Sequence, residues 1–303
     1  MQRLSAKYAG ADQGKVTRVF GANFIGRMSG KVVEAFVAKA DLLAASPAYS
    51  DQSGVDWKTA AASAAKVLNH IGGVDGMDPT GWTWYCNVDD IEKLSPTESP
   101  AEILWRGERA KSLSLEEDNF PPTLYGNGRI NPTQNLVDAF PMLNGYPVSH
   151  LSGEYDENLP YANRDPRLEA YILYNGCKAG NTNKEIFTAA DGTTNDALNK
   201  VVGRSTRTGY YLRKLLRQDI SLDPNAKADQ YHYTPRIRYT EIFLAYAEAA
   251  NQAYGPQDKG GNGYSAYDVV KKLRHRAGIG RDNGDAYLES IKNDQAKMAE
   301  LIR

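Results

Sequence analysis

The side chains best placed to move a proton near neutral pH are four histidines, His70, His150, His232 and His275, scattered along 303 residues. A nucleophilic site needs a base and an orienting group together, and the spacing of these four offers neither. His70 falls at a predicted helix end and His275 among arginines at another, so both read as solvated or capping residues. Asp89-Asp90 and Glu116-Glu117-Asp118 are carboxylate clusters. Adjacent acids point in different directions, so they read as solvated faces rather than the facing acid pair of a glycosidase. The stretch Gly10-Ala-Asp-Gln-Gly14-Lys15 is too short for a phosphate-binding loop and lacks its hydroxyl residue. Proline blocks Asn131-Pro132-Thr133 as a glycosylation site. Cys86 and Cys177 allow one pairing, but by themselves neither a disulfide framework nor a zinc site. No enzyme signature stands, and neither a cofactor nor a metal is expected.

What remains is chemistry of binding. Aromatic residues collect in a turn-rich stretch: Trp82, Trp84 and Tyr85, then Trp105, Phe120 and Tyr125, with Asn127 and Arg129 beside the last. Sugar rings expose flat C–H faces that stack on aromatic rings, while amide and guanidinium groups bond their hydroxyls. An apolar platform with a few polar groups is the general form of a small-ligand site. The candidate ligand-binding residues are Trp82, Trp84, Tyr125, Asn127 and Arg129. Trp57, on a helical face, and Trp105, in a predicted strand, read as core, and Tyr85 leans the same way. Trp82 and Trp84 stand open between core and ligand.

Composition narrows the setting. Lysine plus arginine (36) nearly balances aspartate plus glutamate (37), so no basic face points to nucleic acid. Hydrophobic residues at 41% and charged residues at 24% are enough for a packed core. The 19 tyrosines stand against only 7 phenylalanines, and a phenol suits contact surfaces as well as wet cores. No apolar run reaches the length of a membrane span, and Met1–Gly10 lacks the apolar core of a signal peptide.

The elements that must carry these residues are helical at both ends. Ser29 caps a run with Val32, Phe36, Ala40 and Leu43 on one face, stopped by Pro47. Asp56 opens a second, with Trp57, Ala60, Ala61, Ala64, Val67, Leu68 and Ile71, ended by Gly72-Gly73. Late in the chain, Tyr239, Ile242, Phe243, Tyr246, Ala249, Ala250 and Ala253 keep helical spacing. Val269, Val270, Leu273 and Ala277 follow, then Leu288, Ile291, Met298 and Leu301. The alanine faces suit close helix pairs of the tetratricopeptide (TPR-like) kind, although no strict repeat period links the blocks. Residues 73–236 are rich in proline, glycine, tyrosine and asparagine, with short strands expected at Glu102–Trp105 and Glu169–Tyr174.

Several motifs, in order, resemble the SusD/RagB family. They are Pro132–Phe140 with Asn144-Gly145, Tyr161-Ala-Asn-Arg164-Asp165-Pro166-Arg167-Leu168, Tyr174-Asn175-Gly176, Gly209–Lys214, Arg238–Ala249 and Val270–Gly278. Read physically, Arg164 and Arg167 tie a turn around Asp165-Pro166 by charge-assisted bonds. Glu241 and Glu248 share a helix face, with Arg236, Arg238 and Arg274 as candidate partners.

The resemblance implies a mostly α fold: a scaffold of TPR-like helix pairs at 29–72 and 237–303, and a loop-rich ligand-binding half at 73–236, in one SusD-like domain. It implies a non-catalytic, outer-membrane, cell-surface lipoprotein of a Bacteroidota-type bacterium. Such a protein binds oligosaccharide or polysaccharide and delivers it to a SusC-like TonB-dependent transporter. It touches the membrane only through a lipid anchor. The alternatives are RagB-like peptide binding and a TPR-like protein-interaction module. Family members begin with a signal peptide and lipidated cysteine and continue past the equivalent of Leu301-Ile302-Arg303, so 1–303 is expected to be an internal piece of a longer protein.

Overall fold

The computed structural model describes residues 27–83 and 99–303. Helix α1 (Gly30–Ala45) starts where Ser29 accepts from the Val32 amide. Helix α2 (Trp57–Leu68) starts where Asp56 accepts from Thr59. It tightens into a 3-10 turn at Asn69–Ile71 and stops at left-handed Gly72, the conformation that glycine adopts without steric cost. Ala60, Ala61, Ala64 and Ala65 of α2 are buried, and α2 packs against α1 on one side and the long late helix Tyr239–Tyr254 on another.

The buried face of α1 differs from the expected one. Val32, Ala35, Ala38 and Ala45 are buried, whereas Phe36 and Leu43 are 42% and 60% exposed and Ala40 is exposed too. Both stripes have helical spacing. The small residues win because they let the backbone of α1 approach α2, and the larger stripe turns outward, where Phe36 meets the edge of Trp105. Trp57 and Trp105 are both partly buried against the main core.

The middle of the chain is built of short pieces: β1 (Ile103–Arg106), β2 (Ala110–Ser112), α3 (Ser114–Asn119), α4 (Gln134–Ala139) and α5 (Pro166–Tyr171). Then come β3 (Ile172–Leu173), β4 (Lys178–Ala179), β5 (Lys184–Glu185), β6 (Tyr211–Leu212), β7 (Gln230–His232) and β8 (Pro235–Arg238). The strands pair antiparallel in twos, β1 with β8, β2 with β7, β3 with β6 and β4 with β5. Glu169–Tyr174 is therefore mostly not a strand. Its first half is α5, because Asp165 caps that helix, accepting from the Arg167 amide, with Pro166 at the first turn. Only Ile172-Leu173 extends. Arg167 holds the Asp165 carboxylate at 2.6 Å, and Arg164 donates to the carbonyls of Val137, Phe140 and Pro160.

Helix α6 (Tyr239–Tyr254) buries Tyr239, Ile242, Phe243, Tyr246, Ala249 and Ala250. It is followed by α7 (Ala266–Arg276), α8 (Ala286–Ile291) and α9 (Gln295–Ile302). Helices α6 and α2 share the main core with α1 and α7. Glu241 and Glu248 do not take the arginines expected of them. Glu241 meets Lys39 of α1 and Glu248 meets Arg303, while Arg238 and Arg276 converge on buried Glu102, and Arg274 on buried Asp285. The acids of α3 also differ from a uniformly solvated face. Glu116 is fully buried, accepting from the Arg217 amide and paired with His232. Its neighbours Glu117 and Asp118 stay at the surface with Lys227 and Arg129. No helix among the described residues is long and apolar enough to cross a membrane.

Candidate functional site

The segment from Phe120 to Arg129 is shaped by packing on one side and open on the other. Phe120 is buried in a second core with Leu124, Leu173 and Tyr211. Pro122–Leu124 makes one 3-10 turn, which ends on Tyr125 with its amide bonded to the Pro122 carbonyl at 2.9 Å. Tyr125 sits at φ 66°. A bulky residue in the left-handed region carries strain, and such strain persists only where the surroundings impose it. Gly126 supplies that constraint, because a β-carbon there would lie 2.1 Å from the Phe120 carbonyl oxygen. At Gly128 (φ 53°) one would lie 2.2 Å from the Arg204 carbonyl oxygen and 2.6 Å from the Tyr211 ring. The amides of Asn127, Gly128 and Arg129 bond back to the carbonyls of Glu117, Phe120 and Asp118, and Arg204 grips the Gly126 carbonyl at 3.0 Å.

The loop is thus a rigid mount. It displays the Tyr125 ring at 45% exposure, with the Lys184 ammonium 5.4 Å from the ring centroid. The Asn127 side chain has no hydrogen-bond partner among the described residues, and it is half-buried. Arg129 is exposed and paired with Asp118 at 3.1 Å. An ion pair at such exposure contributes little and leaves the guanidinium free to bond a ligand. Three of the five candidate residues therefore share one loop.

Trp82 lies elsewhere in the contact network. Its turn is anchored by its own backbone: the Tyr171 hydroxyl donates to the Trp82 carbonyl, and Arg238 donates to the Gly81 carbonyl at 2.7 Å. The Trp82 side chain is half-buried, which fits neither full core nor open platform. Trp84 lies outside the described residues, as do Tyr85 and Cys86. Cys177 is buried with its thiol pushed up to about 11 by burial.

Sequence reasoning passed over a group of rings near Trp82. Phe140 and Tyr171 meet edge to face at 6.3 Å, and the Lys214 ammonium lies 4.5 Å from the Tyr171 centroid. Tyr161 stacks on Tyr174 at 4.1 Å, and its hydroxyl bonds that of Tyr210, which also donates to Gln134. Burial, followed by the Tyr210 hydrogen bond, raises the Tyr161 phenol well above its usual range. All four rings Phe140, Tyr161, Tyr171 and Tyr174 are half-buried around the small core of Val137, Leu168, Ile172 and Tyr210. Their signals in the sequence were the excess of tyrosine over phenylalanine and the place of Phe140, Tyr161 and Tyr174 in the family motifs. The rings come from segments tens of residues apart, and the β3–β6 pairing, with the Arg213 and Lys214 amides donating to the Tyr171 carbonyl, brings the α5 and Tyr210 segments together.

The family model described as the SusD family matches residues 105–303. Among solved structures, 97% of the chain is similar to a SusD-like carbohydrate binding protein from Bacteroides fragilis. The identity is 20%, the TM-score 0.61, and the match covers 52% of that chain. A second SusD-like protein from the same organism is similar over 92% of this chain, at 22% identity and a TM-score of 0.61, with 53% of its own chain covered. The likeness is one of fold, and the chain spans about half the length of these two structures. No curated protein matches.

Proposed function

The chain belongs to the SusD family, and from that premise we propose that it binds oligosaccharides at the cell surface without transforming them. In this reading, residues 73–236 form the ligand-binding half. The protein is held at the outer membrane by a lipid anchor and hands its ligand to a SusC-like TonB-dependent transporter.

The observation that supports ligand binding most is the display of Tyr125. A strained backbone and two sterically required glycines hold the Tyr125 backbone in place with its ring exposed, with an unpartnered amide at Asn127 and an exposed guanidinium at Arg129 beside it. Preorganising a ring in this way lowers the ordering cost of binding. A sugar face stacks on Tyr125, and Asn127 and Arg129 bond its hydroxyls. Half-buried Trp82 is a further candidate contact in the same half in this reading, and Trp84 is kept as a candidate on its sequence position alone.

The test is calorimetric titration with a panel of neutral oligosaccharides and of short peptides, paired with chemical denaturation. Tyr125→Ala should weaken oligosaccharide binding by about 1–3 kcal/mol, by analogy with stacking on nucleic-acid bases, with an unchanged unfolding midpoint. Lost stability with unchanged affinity would return Tyr125 to a structural role. Peptides binding where sugars do not would favour RagB-like uptake, and silence in both panels a protein-interaction module.

A further inference from the structure

The Tyr125 loop begins on a turn that cannot cap itself. Pro122–Leu124 forms its 3-10 entry, and no side chain at the turn's own N-terminus bonds into it. Pro121 and Pro122 carry no N–H, so the Thr123 amide is the first donor of the turn, and an opening amide has no acceptor within its own turn. That amide donates instead to Oδ1 of Asp196 at 2.7 Å, across 73 positions of sequence.

The same residue bears on the other end of the loop. The main-chain carbonyl of Asp196 accepts from the Tyr211 hydroxyl at 2.9 Å, and the Thr206 amide donates to that hydroxyl. The Tyr211 ring is completely buried, and it is one of the two groups that a β-carbon at Gly128 would strike. Asp196 is completely buried as well, so a ligand on the surface does not reach it. Its backbone is fastened on both sides, by the Ser205 hydroxyl on the Asn195 carbonyl at 2.5 Å and by the Ala197 amide on the Thr194 carbonyl. Only one carboxyl oxygen is used, because Oδ2 is buried with no partner among the described residues. Burial pushes the carboxyl above its ordinary value, so the place favours an uncharged acceptor.

We infer that Asp196 is the positioning residue of the Tyr125 loop, its carboxyl setting where the loop begins and its carbonyl, through Tyr211, where it ends. Its effect on a ligand passes through the backbone that carries Tyr125 and Asn127, and to that extent the inference rests on the reading of this loop as the ligand site.

The experiment is amide hydrogen exchange at Asn127, Gly128 and Arg129, whose bonds to the carbonyls of Glu117, Phe120 and Asp118 close the loop, with the amides of α2 as reference. Asp196→Ala strands the Thr123 donor and should speed exchange of the three amides by about tenfold, leaving α2 unchanged. Asp196→Asn keeps one carbonyl oxygen and should restore the slow exchange, a rescue that a general loss of packing does not give. Tyr211→Phe keeps the buried ring, removes the hydroxyl, and should speed exchange at Gly128 several-fold. Unchanged loop exchange in Asp196→Ala, or exchange in Asp196→Asn as fast as in Asp196→Ala, would overturn the inference. If Asp196→Ala does not fold, unchanged exchange at Gly128 in Tyr211→Phe would overturn it equally. Titration of the same variants with the neutral oligosaccharides separates this inference from the reading it rests on. Affinity falling in step with faster loop exchange supports both, whereas faster exchange with unchanged affinity leaves Asp196 in its role and removes the loop from the ligand site.

Discussion

Asp285 adopts φ 55° and caps α8, accepting from the Leu288 amide, while its carboxylate meets Arg274 in a two-point fork of 2.6 and 2.8 Å. The same guanidinium reaches the Gly145 carbonyl at 2.7 Å. Both side chains are essentially buried, so removing one charge strands the other. Asparagine tolerates positive φ and still caps a helix, so Asp285→Asn isolates the charge. It should destabilise the chain by about 3–5 kcal/mol, read as a lowered urea midpoint at constant slope. Glu289 behaves differently. The Tyr267 hydroxyl hydrogen bond, then that of Lys292, outweighs partial desolvation and holds its carboxyl down to about 2, against an ordinary value of 4.5. A depressed folded-state value means that the stabilisation is full above the ordinary value and disappears as pH falls towards about 2. The melting temperature should decline across that window, and Glu289→Gln should flatten the decline. Equal slopes in both proteins would show that the carboxylate is not engaged in solution.

Helix starts at Ser29 and Asp56 were legible because caps are local, each hydrogen-bonding within its own first turn, and Ser265, which the sequence reading passed over, does the same. Which face of a helix is buried is not a local property, as α1 shows. Its larger apolar stripe, Phe36 and Leu43, lost to a smaller one that fits the alanine surface of α2. The same close approach governs α6. Ala249 and Ala250 are completely buried, and α6 packs against α1, α2, α7 and α9. Ala249→Leu or Ala250→Leu should overpack these crossings and cost about 1–3 kcal/mol. A denaturation midpoint unmoved in both variants would mean that neighbouring helices yield without strain.

Across the whole molecule, Glu102 joins segments that are distant in sequence. It is 1% exposed. It receives Arg238 at 3.2 Å, Arg276 at 3.3 Å and the Thr240 amide at 3.1 Å, while its own amide donates to Asp78. Arg276 in turn bonds the Asp78 carbonyl at 2.9 Å. This cluster sits beside the β1–β8 pairing, where Ile103 faces Arg238, and it fastens the irregular middle of the chain to the start of α6 and the end of α7. Glu102→Gln should leave two arginines short of a counter-charge and cost about 3–5 kcal/mol. Because the cluster bridges both regions, helix loss by circular dichroism and tryptophan fluorescence should shift together in the variant. Separation of the two transitions would show that the middle and the helices unfold independently.

The sequence by itself determined the helices at both ends of the chain, the caps at Ser29 and Asp56, the alanine-lined pairing surfaces and the family motifs, because each depends on residues close together in the chain. Tertiary structure alone decided which stripe of α1 faces inward, and it fixed the Tyr125–Arg129 loop through Arg204 and Tyr211. It decided which arginine meets which acid, and that one member of the Glu116–Asp118 cluster is buried while its neighbours stay wet. It also gathered Phe140, Tyr161, Tyr171 and Tyr174 around one small core. Most of these groupings bring together segments far apart in the chain, up to the 174 positions that separate Glu102 from Arg276. Burial and pairing between such residues follow from how the helices and ribbons pack, for which no local spacing in the chain carries a signal.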